Sequence, residues 1–108
     1  MILLLNTAEP VCKITLIDGK WWLDDEWQAD RALAKSLHKY LFGILQKNKK
    51  SWGDITAIGV FEGPGSFTGL RIGLTVANTV ANILKVPIVG ACDADWQEKA
   101  LKKIKQVS

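Results

Sequence analysis

A glycine-rich stretch, GPGSFTGLRIG at residues 63–73, leads from one apolar segment into another and constrains this chain more than any other feature. The β-branched residues of 55–63 before it predict a strand, and Thr68 to Leu84 after it have helical spacing. Gly63 and Gly65 permit backbone angles that other residues avoid. A strand, a tight turn and a helix in this order are typical of an α/β fold with parallel strands.

The rest of the chain also alternates between strand and helix patterns. The predicted strands are 2–6, 11–19, 20–27, 55–63 and 86–91, and the predicted helices are 29–47, 68–84 and a basic third helix that begins after the acidic residues 93–95. The order βββαβαβα predicts a mixed five-stranded sheet, in which an antiparallel meander is extended by parallel strands, with helices on both faces. This order matches an RNase H-like lobe, the repeating half of actin-like (ASKHA) proteins.

Length and composition indicate a single α/β domain over residues 1–108. A chain of 108 residues, 48% hydrophobic and 23% charged, is globular and too short for two ordinary domains. Cys12 and Cys92 are isolated, so we expect two small buried hydrophobes in a reducing, cytoplasmic setting, with neither a disulfide nor a zinc site. The opening MILLL is too short for a signal or a membrane span. We therefore expect no membrane contact, metal or cofactor.

The loop fails three tests for phosphate chemistry or catalysis. A Walker A loop needs a lysine after its last glycine, whereas Leu70 follows Gly69. A dinucleotide fingerprint needs GxGxxG after the first strand of a parallel unit, whereas GxGxxxG follows the fourth strand here. A nucleophile elbow needs GxSxG, and Ser66 has proline and threonine at the flanking positions. The remaining interpretations are a capped turn and a candidate anion-binding loop formed by Gly63, Gly65, Ser66 and Thr68.

The helix after the loop has a wide apolar surface. Arg71 is its only charged residue up to Leu84, and the apolar arc covers roughly 200° of an ideal helical wheel. Small residues recur at every fourth position within this arc and form a smooth stripe: Gly69, Gly73, Ala77 and Ala81. Another helix can approach such a stripe closely, and the first helix of the same chain is one candidate. The width of the arc predicts further apolar surface for a partner.

Three other features leave alternatives open. The lysine-rich runs 47–50 and 99–105 supply most of the net charge of +3 and are either solvated helix surface or a contact for RNA phosphates. The tryptophans of the third strand, Trp21, Trp22 and Trp27, suit either the core or a contact surface. His38 has no ligand or acid partner in the pattern and is expected at the surface or in an interface.

The motif GPGSFTGLRIG resembles the signature of the TsaB (YeaZ) family, and the similarity continues into ANTVANILKVPIVG at 77–90. The opening LLLNTAEPVCKITL resembles the first hairpin of that family, which typically reads Asp-Thr-Ser and then has a cysteine at the position of Cys12. Family members are about twice as long and have two lobes. The resemblance therefore implies a single RNase H-like lobe, the N-terminal half of a TsaB-type protein, without the second lobe.

The resemblance also implies a role in the threonylcarbamoyl-adenosine modification of tRNA. A TsaB protein is the non-catalytic partner of a TsaD-type transferase, is joined by a TsaE-type ATPase, and forms homodimers when alone. In such an assembly we expect an indirect contact of this chain with tRNA. These contacts use two helices that correspond to about 29–49 and 67–84 here. The residues expected at the partner interface are Leu33, Leu37, Leu41, Gly69, Leu70, Arg71, Gly73, Leu74, Ala77 and Ala81.

Two departures from the family argue against nucleotide hydrolysis by this chain. Asn6 replaces the usual aspartate of the first strand, and a neutral amide is a poor ligand for Mg²⁺. Without the second lobe, half of the usual nucleotide clamp is missing. The alternatives are a nucleotide- or phosphate-binding hydrolase, ATPase or peptidase-like, that uses the glycine-rich loop, and a direct tRNA-binding module that uses the lysine-rich C-terminal helix.

Overall fold

The structure, a computed structural model, describes residues 1–107 and shows the predicted order of elements. The strands are β1 (Ile2–Asn6), β2 (Val11–Asp18), β3 (Trp21–Gln28), β4 (Ala57–Phe61) and β5 (Ile88–Ala91). The helices are α1 (Leu33–Lys47), α2 (Phe67–Leu84) and α3 (Trp96–Val107), with short 3-10 turns at Asp30–Ala32 and Trp52–Asp54.

The strands form one mixed sheet in the order β3-β2-β1-β4-β5. β1 pairs antiparallel with β2, which pairs antiparallel with β3, whereas β1 pairs parallel with β4 and β4 with β5. The predicted meander with parallel additions is therefore confirmed. Since carboxyl ends of parallel strands meet at one edge, the turn after β1 and the glycine-rich loop after β4 are neighbours.

The sheet is covered on both faces, and each face has its own apolar core. Successive side chains of β1 point to opposite sides, so Leu3 and Leu5 pack with α1 and α2, while Leu4 packs with α3. The core under α1 and α2 also contains Leu37 and Leu41, and the core under α3 contains Ile17, Ala57, Trp96, Ala100 and Ile104. No helix within residues 1–107 is long and apolar enough to cross a bilayer.

Two element boundaries differ from the predictions for local reasons. The first α-helix begins at Leu33 and not at Ala29, because the amides of Ala29 and Asp30 both donate to the Pro10 carbonyl, at 3.0 and 3.1 Å. The left-handed φ of 47° at Asp30 also separates this turn from the helix. The last strand begins at Ile88, after Pro87, which has no amide proton for the ladder.

The two cysteines lie in different environments, so the expectation that both are buried was half wrong. Cys12 lies in β2 and is fully buried in the core under α1 and α2, whereas Cys92 is exposed. Burial raises the pKa of the Cys12 thiol to about 12, because the thiolate would lose its hydration there. Trp27, the cross-strand partner of Cys12, stacks on Tyr40 with 5.0 Å between ring centroids, so this tryptophan belongs to the core.

Candidate functional site

The glycine-rich loop packs on the turn that follows β1. The Ser66 amide donates to the Ala8 carbonyl at 2.8 Å, and a side chain on Gly65 would overlap Ala8. The Gly63-Pro64 peptide bond is cis, and Gly63 has a φ of 125°. These glycines therefore serve a close contact between two loops at the carboxyl edge of the sheet.

The hydroxyl of Ser66 caps α2. Its Oγ accepts a hydrogen bond from the Gly69 amide at 3.2 Å, as expected of an N-cap serine. A cavity of about 810 Å³ opens beside this cap, lined by both the loop and the start of α1. Ser66, Thr68 and Gly69 line it, but Gly63 and Gly65 do not. The structure thus places only part of the predicted anion-binding loop at one cavity.

Ser66 and His38, the serine and the histidine considered for nucleophilic catalysis, lie in different parts of the structure. His38 lines a different cavity, next to the C-terminal half of α2, whereas Ser66 lies at the N-terminus of that helix. The side-chain oxygen of Asn6 accepts from the Ala8 amide at 3.0 Å and thereby closes the turn after β1. In the described part of the chain, no group of three or more His, Cys, Asp or Glu side chains is placed to hold a metal ion.

The small-residue stripe of α2 faces the protein's own sheet. The Thr7 hydroxyl donates to the Gly69 carbonyl at 2.6 Å, and side chains on Gly69 or Gly73 would overlap Thr7. Ala77 and Ala81 continue into the core under α1 and α2. The stripe therefore lets α2 approach the end of β1 closely and is not a surface for another molecule.

Seven of the ten residues predicted at the partner interface lie inside the chain: Leu33, Leu37, Leu41, Gly69, Gly73, Ala77 and Ala81. These buried residues position α1 and α2 and offer no surface to a partner. The other three are at or near the surface: Leu70 is half-buried, and Arg71 and Leu74 are exposed. The helices predicted for a partner contact are thus turned so that other residues face outward.

An apolar groove lies between α1 and α2 on the outer side of the molecule. Its volume is about 430 Å³, and its lining residues are His38, Trp52, Thr75, Val76, Thr79, Val80, Ile83 and Leu84. Ile83 is 74% exposed, although isoleucine is among the residues most often buried. The hydroxyls of Thr75 and Thr79 donate to the carbonyls one turn earlier, at 2.8 and 2.9 Å, so they do not need partners in the groove.

A second apolar patch lies on the other flank of α2, near its N-terminus. Phe67 is 80% exposed there and borders a cavity of about 230 Å³ that Phe61, Leu70 and Leu74 also line. Glu62 and Arg71 line the same cavity. Both flanks of α2 therefore present apolar surface, which agrees with the wide apolar arc in its sequence.

The sequence predicted apolar surface on α2, but most of the α2 residues singled out form the buried stripe and not the exposed flanks. Val80, Ile83 and Leu84 were not singled out, although they carry most of the apolar lining of the groove from α2. The signal that could have found them is the spacing 76, 80, 83 and 84, which runs beside the small-residue stripe. Small residues allow the closest approach, which is to the sheet, and the large residues lie on the flanks.

Comparison with known proteins connects this geometry to one family. Residues 27–102 match the sequence model of the family described as TsaD, tRNA N6-adenosine threonylcarbamoyltransferase. The tRNA threonylcarbamoyladenosine biosynthesis protein TsaB of Buchnera aphidicola (subspecies Baizongia pistaciae) is 36% identical over 82% of this chain and 40% of its own length. The TsaB protein of Escherichia coli is 33% identical over 82% of this chain and 38% of its own length.

The solved structure of YeaZ from Pseudomonas aeruginosa has the same fold. It superposes with a TM-score of 0.78 and 27% identity, over 85% of this chain and 43% of its own. This likeness confirms the RNase H-like α/β fold class. The chain spans about 40% of the length of the curated relatives that it matches. It belongs to the TsaD family, within which its relatives are the TsaB (YeaZ) proteins.

Proposed function

We propose that this chain is a non-catalytic scaffold that binds a TsaD-type transferase in the threonylcarbamoyl-adenosine modification of tRNA. The observation that carries the proposal is the apolar groove between α1 and α2, with Ile83 protruding from it. The choice of pathway rests on relatives that are named as tRNA threonylcarbamoyladenosine biosynthesis proteins. The proposed contact is a helix-helix interface.

The groove suits a protein partner better than a small polar substrate. Its walls are almost entirely apolar, and His38 is the one ionisable side chain among the described residues that line it. Phe42 is exposed one helical turn after His38 on α1 and extends the apolar surface beyond the groove. A partner that covers these side chains would gain roughly 25 cal/mol for each Å² of apolar surface removed from water.

The same surface would also serve self-association. Two copies that bury their grooves against each other would form a twofold dimer, in which each copy contributes the same residues. The homodimer and the transferase complex would then compete for the groove. A TsaE-type ATPase would join the assembly through a surface of the transferase, of this chain or of both.

Substitution of Ile83 tests the proposal. Because Ile83 is largely exposed, Ile83→Asp leaves the fold intact and places a charge where the partner would cover it. We expect its affinity for the TsaD-type transferase of the same organism to fall at least about tenfold, measured by co-purification and light scattering. Val107→Asp is the matched control, since Val107 is 58% exposed but lies on α3, away from the groove.

An unchanged complex with Ile83→Asp, or an equal loss with Val107→Asp, would rule out the groove as the interface. Substitutions of Gly73 or Ala77 are unsuitable for this purpose. Both residues are buried, and a charge at either position would disrupt the fold before it reported on a partner.

A hydrolase that uses the glycine-rich loop is the second candidate. The cavity of about 810 Å³ beside the α2 N-terminus favours it, and one solved Pseudomonas aeruginosa relative is described as similar to a peptidase. Calorimetry with ATP and Mg²⁺ separates the candidates. Tight binding that is lost in Ser66→Ala would favour the hydrolase, whereas no heat of binding would leave the scaffold as the function.

A further inference from the structure

Positive charge is concentrated at one edge of the molecule, which we call the basic edge. Met1 donates from its amino group to the Asp54 carbonyl at 2.9 Å, so the segment after α1 lies at the start of β1. Ile2 pairs with Ile17, which brings the β2–β3 turn to the same edge. The lysines of this edge are Lys20, Lys47, Lys49, Lys50, Lys85 and Lys105.

The contacts of α1 and α3 fix the lysines at the two sides of this edge. Lys50 Nζ lies 2.9 Å from the Asp18 carboxylate, which holds the end of α1 against the β2–β3 turn. On the other face, Gln97 donates to Thr15 at 3.2 Å, and Lys105 lies about two helical turns later, in the last turn of α3. Asp18 and Asp54 are the acids of this edge, and Asp18 is already paired with Lys50.

Acidic residues collect at the opposite, carboxyl edge of the sheet. Glu9, Asp30, Glu62, Asp93, Asp95 and Glu98 follow the ends of strands or begin helices there. Lys99 is paired with Asp93 and Asp95 at that edge. Arg31 and Arg71 also lie at that edge, beside Asp30 and Glu62. The net charge of +3 is therefore distributed unevenly, with its excess of lysines at the basic edge.

Two exposed tryptophans stand within the basic edge. Trp21 and Trp22 begin β3, point to opposite faces of the sheet, and are 37% and 53% exposed. The Lys50 ammonium lies over the Trp21 ring, 5.1 Å from its centroid. Helix dipoles explain lysines at the ends of helices, but they do not explain large aromatic rings in water beside them.

We propose that the basic edge binds unpaired RNA, with lysines on the phosphates and Trp22 stacked on a base. Lysines neutralise backbone phosphates, and exposed aromatic rings on a sheet are platforms for unstacked bases. The choice of tRNA as the RNA rests on the proposed function. The binding itself does not, because the basic edge shares no residue with the groove between α1 and α2.

Fluorescence anisotropy with a labelled, unmodified tRNA transcript and with a labelled oligouridine tests this inference between 50 and 200 mM salt. Lys20→Glu/Lys49→Glu should weaken binding at least about tenfold and flatten the dependence of affinity on salt. Trp22→Leu should weaken it about fivefold or more, whereas Trp22→Phe, which keeps a ring, should stay near the parent affinity. Circular dichroism checks the fold of each variant.

Lys35→Glu/Lys39→Glu is the matched control, because these two exposed lysines change the net charge equally but lie on α1 before its end. An equal loss in this control would overturn the inference in favour of non-specific attraction. Tighter binding to phosphatidylserine vesicles than to either RNA would also overturn it. Transferase binding by the same variants separates this inference from the proposed function. The basic-edge variants should bind the transferase with unchanged affinity, and Ile83→Asp should bind RNA with unchanged affinity.

Discussion

Gly73 and Gly43 both lie within helices but have opposite surroundings. A side chain on Gly73 would overlap the hydroxyl of Thr7, whereas nothing lies within 4 Å of a side chain on Gly43. Gly73→Ala should therefore lower the free energy of unfolding by roughly 1–3 kcal/mol, because α2 has to move away from β1. Gly43→Ala should raise it by roughly 0.5–1 kcal/mol, because alanine restricts the unfolded chain.

Urea unfolding monitored by circular dichroism measures both changes. Equal effects of the two substitutions would mean that the close contact with Thr7 does not hold α2 in place. The contrast could not be read from the sequence, in which both positions are simply glycines within helical patterns. It depends on which side of each helix meets the sheet.

The two cysteines provide a second test at the scale of single residues. Thiolates are the reactive form, and burial raises the pKa of Cys12 to about 12. At pH 8 we expect iodoacetamide to modify the exposed Cys92 and to leave Cys12 unmodified until the chain is unfolded in urea. Mass spectrometry of the peptides distinguishes the two sites, and rapid labelling of Cys12 in the folded protein would contradict its burial.

The end of α2 is defined by a left-handed residue that is not glycine. Lys85 has φ 57° and ψ 47°, and the Val86 amide donates to the Ala81 carbonyl at 3.1 Å, as in a Schellman motif. Lys85→Gly should therefore raise the free energy of unfolding by about 1 kcal/mol, because glycine adopts this conformation without strain. Lys102→Gly, in the interior of α3, should lower it by about 1 kcal/mol.

Thermal denaturation of the two variants gives the sign of each change. Destabilisation by Lys85→Gly would mean that the lysine side chain contributes more than its backbone strain costs. Lys85 also belongs to the basic edge, so this variant should bind RNA somewhat more weakly while being more stable. The two effects are independent and are measured separately.

At the scale of elements, the sequence predicted the order, type and pairing of strands and helices, because hydrophobic periodicity and turn residues are local signals. It could not predict which surface of α2 faces the sheet. The small-residue stripe and the large apolar residues beside it are both compatible with burial, and only the position of Thr7 at the end of β1 decides between them. The predicted interface residues on α1 and α2 were therefore mostly those that hold the helices in place.

At the scale of the whole molecule, the basic edge was visible in the sequence only as two separate lysine runs. The β2–β3 turn and the ends of α1 and α3 are distant in the chain, and the sheet brings them together. The same is true of the groove, to which α1, α2 and the turn at Trp52 contribute. Surfaces assembled from several elements need the tertiary arrangement, even where each element is predicted correctly.

The shared sheet also predicts that both cores unfold as one unit. Ile14 and Ile17 lie on the same strand but face opposite cores, Ile14 under α1 and Ile17 near α3. Ile14→Val and Ile17→Val should each lower the free energy of unfolding by about 0.5–1.5 kcal/mol, and the double variant should lower it by the sum, because the side chains share no contacts. Tryptophan fluorescence and circular dichroism should give coincident urea transitions in all three variants, because both helix layers pack on the same sheet. Separate transitions for the two probes would instead show that α3 can detach from its face of the sheet while α1, α2 and the sheet stay folded.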